Sequence, residues 1–130
     1  MSIPLSHWIA IALGGGLGAV ARFWMVTVFN RLHGSHFPLG TFAVNIMGSF
    51  AIGLIIVGLT IRFSGTDNIW HRLVIIGVLG AFTTFSSFAL ENVVLLQQQQ
   101  YWMALGYTLA SVLTCIAAAA LGFGVGKLVF

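Results

Sequence analysis

The segment Gly77–Glu91, which reads GVLGAFTTFSSFALE, decides how the rest of the chain is interpreted. Within it, Gly80–Phe88 places two threonines and two serines among three phenylalanines, in the middle of a long apolar run. Hydroxyl side chains bond back to a helix backbone and bend or break it. Inside a bilayer, the backbone groups released by a break are tolerated only where they line a cavity or hold an ion. The segment therefore indicates a helix that is bent or broken here, and a break would place backbone groups at a cavity or an ion.

The composition around this segment is that of a membrane protein. Of the 130 residues, 59% are hydrophobic and 5% are charged, whereas about 25% of residues are charged in soluble domains. A spanning helix needs about 20 mostly apolar residues. Four such runs are present, at 5–29, 40–61, 70–96 and 101–130. We predict an all-α integral membrane protein with four transmembrane helices in a single domain, 1–130, and these proportions argue against a soluble enzyme.

Polar and turn-forming residues separate the four runs. The predicted loops are 30–39, 62–68 and the run of four glutamines at 97–100. The histidines fall in these loops or at the ends of the spans: His7, His33, His36 and His71. Because no histidine and no second carboxylate lies deep in a span, neither a haem site nor a catalytic metal or nucleophile site is supported.

The positive charges specify the orientation of the chain only weakly. The net charge is +3 and the basic residues are isolated, so no patch exists to bind nucleic acid. One side of the membrane would carry Arg62, Arg72 and Lys127, and the other Arg31 alone or Arg31 with Arg22, which is three charges against one or two. Since an excess of Lys and Arg marks the cytoplasmic side, two interpretations stay open. The chain inserts with both termini inside, or it inserts both ways up, which permits an antiparallel dimer.

Small residues recur at a spacing that is typical of helix packing in membranes. Gly14 and Gly18 stand four apart in the first span, and Gly122 and Gly126 in the fourth. Such faces let helix backbones approach each other, within a chain or between chains. The one cysteine, Cys115, excludes an intrachain disulfide and a CxxC-type site, and we expect it to serve as a small packing residue.

Polar residues inside the predicted spans are the candidates for function, because they are costly in hydrocarbon. Arg22, late in the first span, either extends to the interface or attracts an anion at a vestibule. Asn45 either bonds between helices or donates to a ligand in a pore. Glu91 is the only carboxylate within a predicted span. It is interpreted as a proton-coupling site, a salt-bridge partner of an arginine, or part of a gate.

Two further patterns have both a structural and a functional interpretation. Phe85 and Phe88, three residues apart, either pack in the core of a bundle or offer their positively polarised ring edges to an anion. Tyr107, Ser111 and the adjacent pair Thr114 and Cys115 follow each other at intervals of three to four residues and therefore share a helix face. That polar face is either a wet track or a set of ordinary bonds between helices.

Three stretches, taken in order, resemble the Fluc (CrcB-type) family of fluoride channels. They are GGGLGAVAR at Gly14–Arg22, PLGTFAVNIMGSF at Pro38–Phe50 and GVLGAFTTFSSFALE at Gly77–Glu91. The length, the four-span layout and the glutamine-rich turn fit as well, so that the resemblance covers nearly the whole chain. It implies a dual-topology, antiparallel homodimer in a bacterial inner membrane. Two fluoride pores would lie at the interface between the subunits, and the third helix would be broken at TTFSSF.

The resemblance also implies roles for individual residues. The pore residues would be Asn45, Phe85, Ser86, Phe88, Tyr107, Ser111 and, at the vestibule, Arg22. A structural sodium ion at the centre of the dimer would be held by the main-chain carbonyls of Gly80 and Thr83. Glu91, Thr84 and Ser87 would be polar residues with a gating or structural role. Ala81 stands where the family commonly has glycine, which leaves the implied sodium ligand at Gly80 in place.

These observations favour a passive, fluoride-selective channel that exports cytoplasmic fluoride. The alternative is a proton-coupled exporter of the small-multidrug type, with Glu91 as its proton site. Such exporters usually place an essential carboxylate deep in the first span, where this chain has none. A third hypothesis, motivated by the glycine faces, is a non-transporting subunit that anchors partners in the membrane.

Overall fold

The computed structural model describes residues 3–34, 37–63 and 68–130, and the regular structure in these residues is helical. The helices are α1 (Leu5–His33), α2 (Leu39–Phe63), the π-helix π1 (His71–Leu79), α3 (Gly80–Phe82), α4 (Phe85–Gln97) and α5 (Tyr101–Val129). Four helical stretches of the described chain are long and apolar enough to cross a bilayer: Leu5–Leu32, Leu39–Phe63, His71–Gln97 and Tyr101–Val129. The prediction of an all-helical, multi-pass membrane protein with four spans is confirmed.

The first helix extends further than the sequence predicted. The predicted loop began at Asn30, but α1 continues to His33 and ends at Gly34. Gly34 has a φ of 48°, and its N–H donates to the Asn30 carbonyl at 3.2 Å. Glycine adopts this left-handed conformation without steric cost and commonly ends helices in this way. Arg31 therefore lies in the last turn of α1 and not in a loop, while the predicted turn at 64–67 and His36 lie outside the described residues.

The spans pack as two parallel pairs, and glycines permit both contacts. In the first pair, a Cβ added at Gly14 would collide with the Leu73 carbonyl oxygen, and one added at Gly18 would collide with the Val78 carbonyl oxygen. The earlier residue of α1, Gly14, contacts the earlier residue of π1, and the later residue, Gly18, contacts the later one. The two helices therefore run in the same direction. No side chain fits between them, which is the close approach that small residues allow in membrane bundles.

The second pair consists of α2 and α5, which form the most extensive interface in the molecule. A Cβ on Gly53 would collide with the Ala119 carbonyl oxygen, and a Cβ on Gly122 would collide with the Phe50 carbonyl oxygen. These two pairs of contacts place small residues of each helix against backbone of the other. The glycine spacing in the fourth span thus predicted a contact face, and the structure identifies α2 as its partner.

The helical backbone of the third span is not continuous. Between α3 and α4, Thr83 has φ −79° and ψ 156°, and Thr84 has φ −149° and ψ 114°, which are extended conformations. The preceding π1 was not predicted, and π-helical turns are frequently found at functional sites. The two extended residues fall within TTFSSF, the segment from which a break was expected. That they lie at the middle of a bilayer stays a prediction.

Candidate functional site

Asn45 holds the extended residue Thr84 by both of its backbone groups. The Asn45 side-chain Nδ2 donates to the Thr84 carbonyl oxygen at 3.0 Å, and the Thr84 N–H donates to Asn45 Oδ1 at 2.7 Å. The two residues are 39 positions apart, so this pair of bonds fastens α2 to the interruption in the third span. The amide nitrogen carries two hydrogens. One of them remains after the bond to Thr84 for a ligand in the adjacent space.

The Thr84 side chain begins α4. Its Oγ1 accepts a hydrogen bond from the Ser87 N–H at 3.2 Å, and threonine is a favoured residue at this capping position. The same Oγ1 lies 3.3 Å from Ser86 Oγ and 3.0 Å from Ser87 Oγ. The three hydroxyls therefore form one polar cluster at the N-terminus of α4.

Two carbonyls beside the interruption lose their helical partners. In a continuous α-helix, Gly80 C=O would accept from the Thr84 N–H and Thr83 C=O from the Ser87 N–H. In the structure, the Thr84 N–H donates to Asn45 Oδ1 instead, and the Ser87 N–H donates to Thr84 Oγ1. Unwound backbone carbonyls of this kind coordinate sodium in broken membrane helices. The oxygens of Gly80 and Thr83 thus fit a small, hard cation.

Arg22 reaches the same place from α1. Its Nη1 lies 3.5 Å from the Thr83 carbonyl oxygen, at the outer limit of a hydrogen bond. A carbonyl oxygen has two lone pairs, so this contact leaves a second position for another ligand. The sequence placed Arg22 either at the lipid interface or at a vestibule, and the structure brings its positive charge to the edge of the interruption.

The two phenylalanines of the segment have very different surroundings. Phe85 is 77% exposed and Phe88 is 8% exposed. Their ring centroids are 5.4 Å apart at an interplanar angle of 50°, and Phe88 also contacts the Tyr107 ring at 5.1 Å. One ring is therefore fixed in the interior of the protomer, and its neighbour projects from the surface beside it.

A cleft of about 360 Å³ brings most of the candidate residues together. The predicted site residues among those that line it are Asn45, Gly80, Thr83, Thr84, Phe85, Phe88 and Ser111. The cleft lies between α2, the interruption and α5, and the side chains that line it, so far as the chain is described, carry no charge. It therefore offers hydroxyl, amide and phenyl groups without a fixed ion.

Ser111 is a buried polar residue of this cleft whose hydroxyl has no hydrogen-bond partner in the described chain. The residue is 6% exposed, and its Oγ makes no hydrogen bond within the described chain. Buried polar groups are nearly always hydrogen-bonded to protein or to water. The hydroxyl therefore indicates that the cleft holds a water molecule or another polar occupant.

Glu91 and Tyr107 form a separate polar cluster. Thr41 Oγ1 donates to Glu91 Oε1 at 2.6 Å, and the Tyr107 hydroxyl donates to Glu91 Oε2 at 2.7 Å. Both donors are buried, and three aromatic rings surround the Tyr107 ring: Phe37, Phe42 and Phe88. Both carboxylate oxygens are thus engaged by hydroxyls. Two residues of the predicted polar face therefore belong to different sites. The Tyr107 hydroxyl donates to Glu91, whereas Ser111 lines the cleft.

Sequence reasoning missed Thr41 and the link between Asn92 and Thr108. Thr41 precedes Asn45 by four residues on α2, so helical spacing already placed the two side chains on one face. Asn92 Nδ2 donates to the Phe88 carbonyl at 3.0 Å, and Thr108 Oγ1 donates to Asn92 Oδ1 at 2.9 Å. The bond between Thr108 and Asn92 links α4 to α5, and no local pattern in the sequence predicts it.

Comparison with known proteins gives a consistent result over nearly the whole chain. Residues 9–123 match the family model described as CrcB-like protein, Camphor Resistance (CrcB). A protein of Hahella chejuensis is 40% identical over 129 residues, which cover 99% of each chain. Proteins of Coxiella burnetii and Magnetococcus marinus are 41% and 44% identical over 119 residues, which cover 92% of this chain and 96% of theirs.

All three relatives bear the name fluoride-specific ion channel FluC, a channel name and not that of an enzyme. The matched range 9–123 contains all the residues that line the cleft. The chain therefore belongs to the CrcB-like family.

Proposed function

We propose that the protein is a fluoride-selective, passive ion channel that exports fluoride from the cytoplasm. The observation that carries this proposal is the uncharged cleft in which the Asn45 amide, the Ser111 hydroxyl and the two phenyl rings of Phe85 and Phe88 meet. The names of the relatives support fluoride as the ion. The exporter alternative is not favoured, because these relatives are named as channels and both oxygens of Glu91 are bonded to hydroxyls.

The chemistry of the cleft suits a small, strongly hydrated anion. A pore must replace the water around such an ion with hydrogen-bond donors and with the positive edges of aromatic rings. Asn45 and Ser111 supply donors, and Phe85 and Phe88 supply ring edges. A fixed positive charge in the path would hold the anion, so an uncharged lining permits the ion to leave as well as to enter.

The membrane potential supplies the driving force. Hydrogen fluoride is a weak acid that crosses membranes uncharged and dissociates inside the cell. A potential that is negative inside then drives the anion outward with about 2.3 kcal/mol per 100 mV for each charge. Neither an ATP site nor a proton-coupling residue is needed for this export. We propose the inner membrane of a bacterial cell as its location, because the resemblance to the Fluc (CrcB-type) family implies it.

We further propose that a structural sodium ion is held by the carbonyl oxygens of Gly80 and Thr83. Support comes from the hydrogen bonds of Asn45 and Thr84, which withdraw the helical partners of both carbonyls. When bound, the ion supplies a positive charge that offsets the exposed carbonyls and holds the interrupted segment rigid. Arg22, at the Thr83 carbonyl, adds positive potential on the α1 side of the same point.

We propose that two chains associate in antiparallel orientation and form two pores at their interface, with the interruption at mid-membrane. The large exposed fraction of Phe85 supports this arrangement, because a pore ring needs a second wall opposite to it. The weak charge bias between the two ends supports insertion in both orientations. In this arrangement, Ser86 and Tyr107 extend the path beyond the cleft, and Glu91, Thr84 and Ser87 hold its geometry or gate it.

Ion flux from liposomes that contain the purified protein tests the proposed function. The proposal predicts efflux of fluoride while chloride is retained, and protein-free liposomes are the control. No flux above the control, or an equal flux of chloride, would contradict it.

A further inference from the structure

The Cys115 thiol lies in the cleft. The sequence predicted a packing role for this residue and also placed it on the polar face of the fourth span, for which a wet track was one interpretation. Cys115 follows Ser111 by one helical turn on α5, and both residues line the cleft. The residue is half-buried, and its sulfur is a free thiol. It is the only cysteine among the 130 residues. A thiol-specific reagent that modifies the chain therefore does so at Cys115.

The neighbouring serine provides independent evidence that this part of the cleft is wet. Ser111 is 6% exposed, and its Oγ has no hydrogen-bond partner among the residues that the structure describes. A buried hydroxyl without a partner is normally satisfied by water. Water at this depth matters for the thiol one turn away, because the thiolate is its reactive form and the proton needs an acceptor.

We propose that Cys115 is a covalent modification site for small, thiol-specific electrophiles, and that a group added there blocks the anion path. This inference rests on the proposed function, since the block concerns the ion for which the cleft is proposed. The cleft, about 360 Å³, is large enough for a small reagent and small enough for an added group to fill the space beside Ser111.

Methyl methanethiosulfonate is the reagent for the test. The thiol gives its proton to water, and the thiolate attacks the methylthio sulfur of the reagent. A disulfide forms between Cys115 and the methylthio group, the bond between that sulfur and the sulfonyl group breaks, and methanesulfinate leaves with the electron pair. A reducing dithiol reverses the modification.

The experiment follows intact mass and fluoride efflux together in liposomes that contain the folded protein. We expect one methylthio group per chain and an efflux slower by about tenfold or more, which corresponds to a barrier raised by about 1.4 kcal/mol. Reduction should restore the original rate. Treatment of the Cys115→Ser variant with the reagent should leave its mass unchanged. The rate of fluoride efflux from this variant should be the same before and after treatment.

A second variant controls for modification elsewhere on α5. Leu113 is exposed and lies on the side of α5 opposite Ser111. The double variant Cys115→Ser, Leu113→Cys should gain the methylthio group without a change in its rate of fluoride efflux. An equal slowing in this variant would overturn the proposal, because the loss of flux would then not depend on the cleft.

Two other outcomes would also overturn it. Complete labelling of Cys115 with unchanged flux would place the thiol outside the anion path. Labelling only after denaturation would show that the thiol is closed to reagents in the folded protein. Absence of fluoride efflux before any reagent is added would refute the proposed function instead, and the mass measurement would still decide whether the thiol is accessible.

Discussion

At the scale of single residues, the Asn45 amide replaces two helical hydrogen bonds at Thr84. It pairs with the N–H and the C=O of Thr84 and so removes the cost of leaving them unpaired in an apolar bundle. In doing so it keeps the Thr84 N–H from the Gly80 carbonyl. A single side chain thus stabilises the extended backbone and releases an acceptor beside it.

Replacement of Asn45 by alanine tests this double role. We expect Asn45→Ala to lower the free energy of unfolding by about 1–3 kcal/mol for each backbone group left unpaired, and to abolish most fluoride efflux. The matched control is Asn92→Ala, which removes another amide with two bonds, to Phe88 and Thr108, away from the cleft. Thermal unfolding in detergent and liposome efflux measure the two effects. Normal efflux in Asn45→Ala, or equal loss in both variants, would contradict the role of Asn45.

The exposed ring of Phe85 permits a test in which folding and flux separate. Phe85→Ala removes a ring that is 77% exposed, so we expect little change in the stability of the protomer and a large loss of fluoride efflux. Phe23→Ala is the matched control, because Phe23 on α1 is 75% exposed and lies outside the cleft. Efflux from Phe23→Ala should equal that of the unaltered protein. Retained efflux in Phe85→Ala would remove Phe85 from the pore.

At the scale of helices, much of the fold could be predicted, because spanning length and turn residues are local properties. The second, third and fourth spans agree with the helices to within about two residues, and only α1 extends further, to His33. The break at Thr83 and Thr84 was expected because four hydroxyl residues in an apolar run are themselves a local signal. The partners of Asn45 and Glu91 were not predictable, since they lie on other helices and depend on packing.

The π-helix π1 is a second feature that could not be predicted from local sequence. Nothing in His71–Leu79 distinguishes it from an ordinary apolar helix. Its backbone lies directly against Gly14 and Gly18 of α1, where a Cβ would collide with carbonyl oxygens. The path of π1 is therefore linked to its contact with α1, which only the folded structure reveals.

The parallel pair of α2 and α5 predicts opposite effects for two glycine substitutions. In Gly53→Ala, the new Cβ would lie 2.8 Å from the Phe123 nitrogen and closer still to the Ala119 carbonyl oxygen, so the helices must separate. We expect a loss of about 1–3 kcal/mol in stability, as for other overpacked interiors. In Gly106→Ala, the new Cβ would meet nothing within 4 Å beyond the adjoining backbone of α5, and alanine should stabilise α5 by about 0.5–1 kcal/mol. Thermal unfolding in detergent should therefore rank Gly106→Ala above the unaltered protein and Gly53→Ala below it; the reverse order would contradict this packing.

At the scale of the whole molecule, the proposed antiparallel pair requires both orientations in one membrane. The double variant Gln97→Lys, Gln98→Lys should direct the loop between the third and fourth spans to the cytoplasm. The double variant Leu128→Lys, Val129→Lys should direct the opposite side of the protein, with the end of α5, to the cytoplasm. These four positions are exposed in the protomer. Each biased variant expressed alone should lose fluoride efflux, and joint expression should restore it. Full efflux from either variant alone would show that one orientation suffices.

The central claim is that this chain conducts fluoride passively and in preference to chloride, and the zero-current potential of the purified protein in a planar bilayer measures both properties at once. With a tenfold fluoride gradient and equal chloride on the two sides, the account predicts a potential of about 59 mV, the value for one elementary charge, with the sign that fluoride dictates. A potential clearly below this value, which would mean that chloride carries a substantial part of the current, or the absence of current, would contradict it.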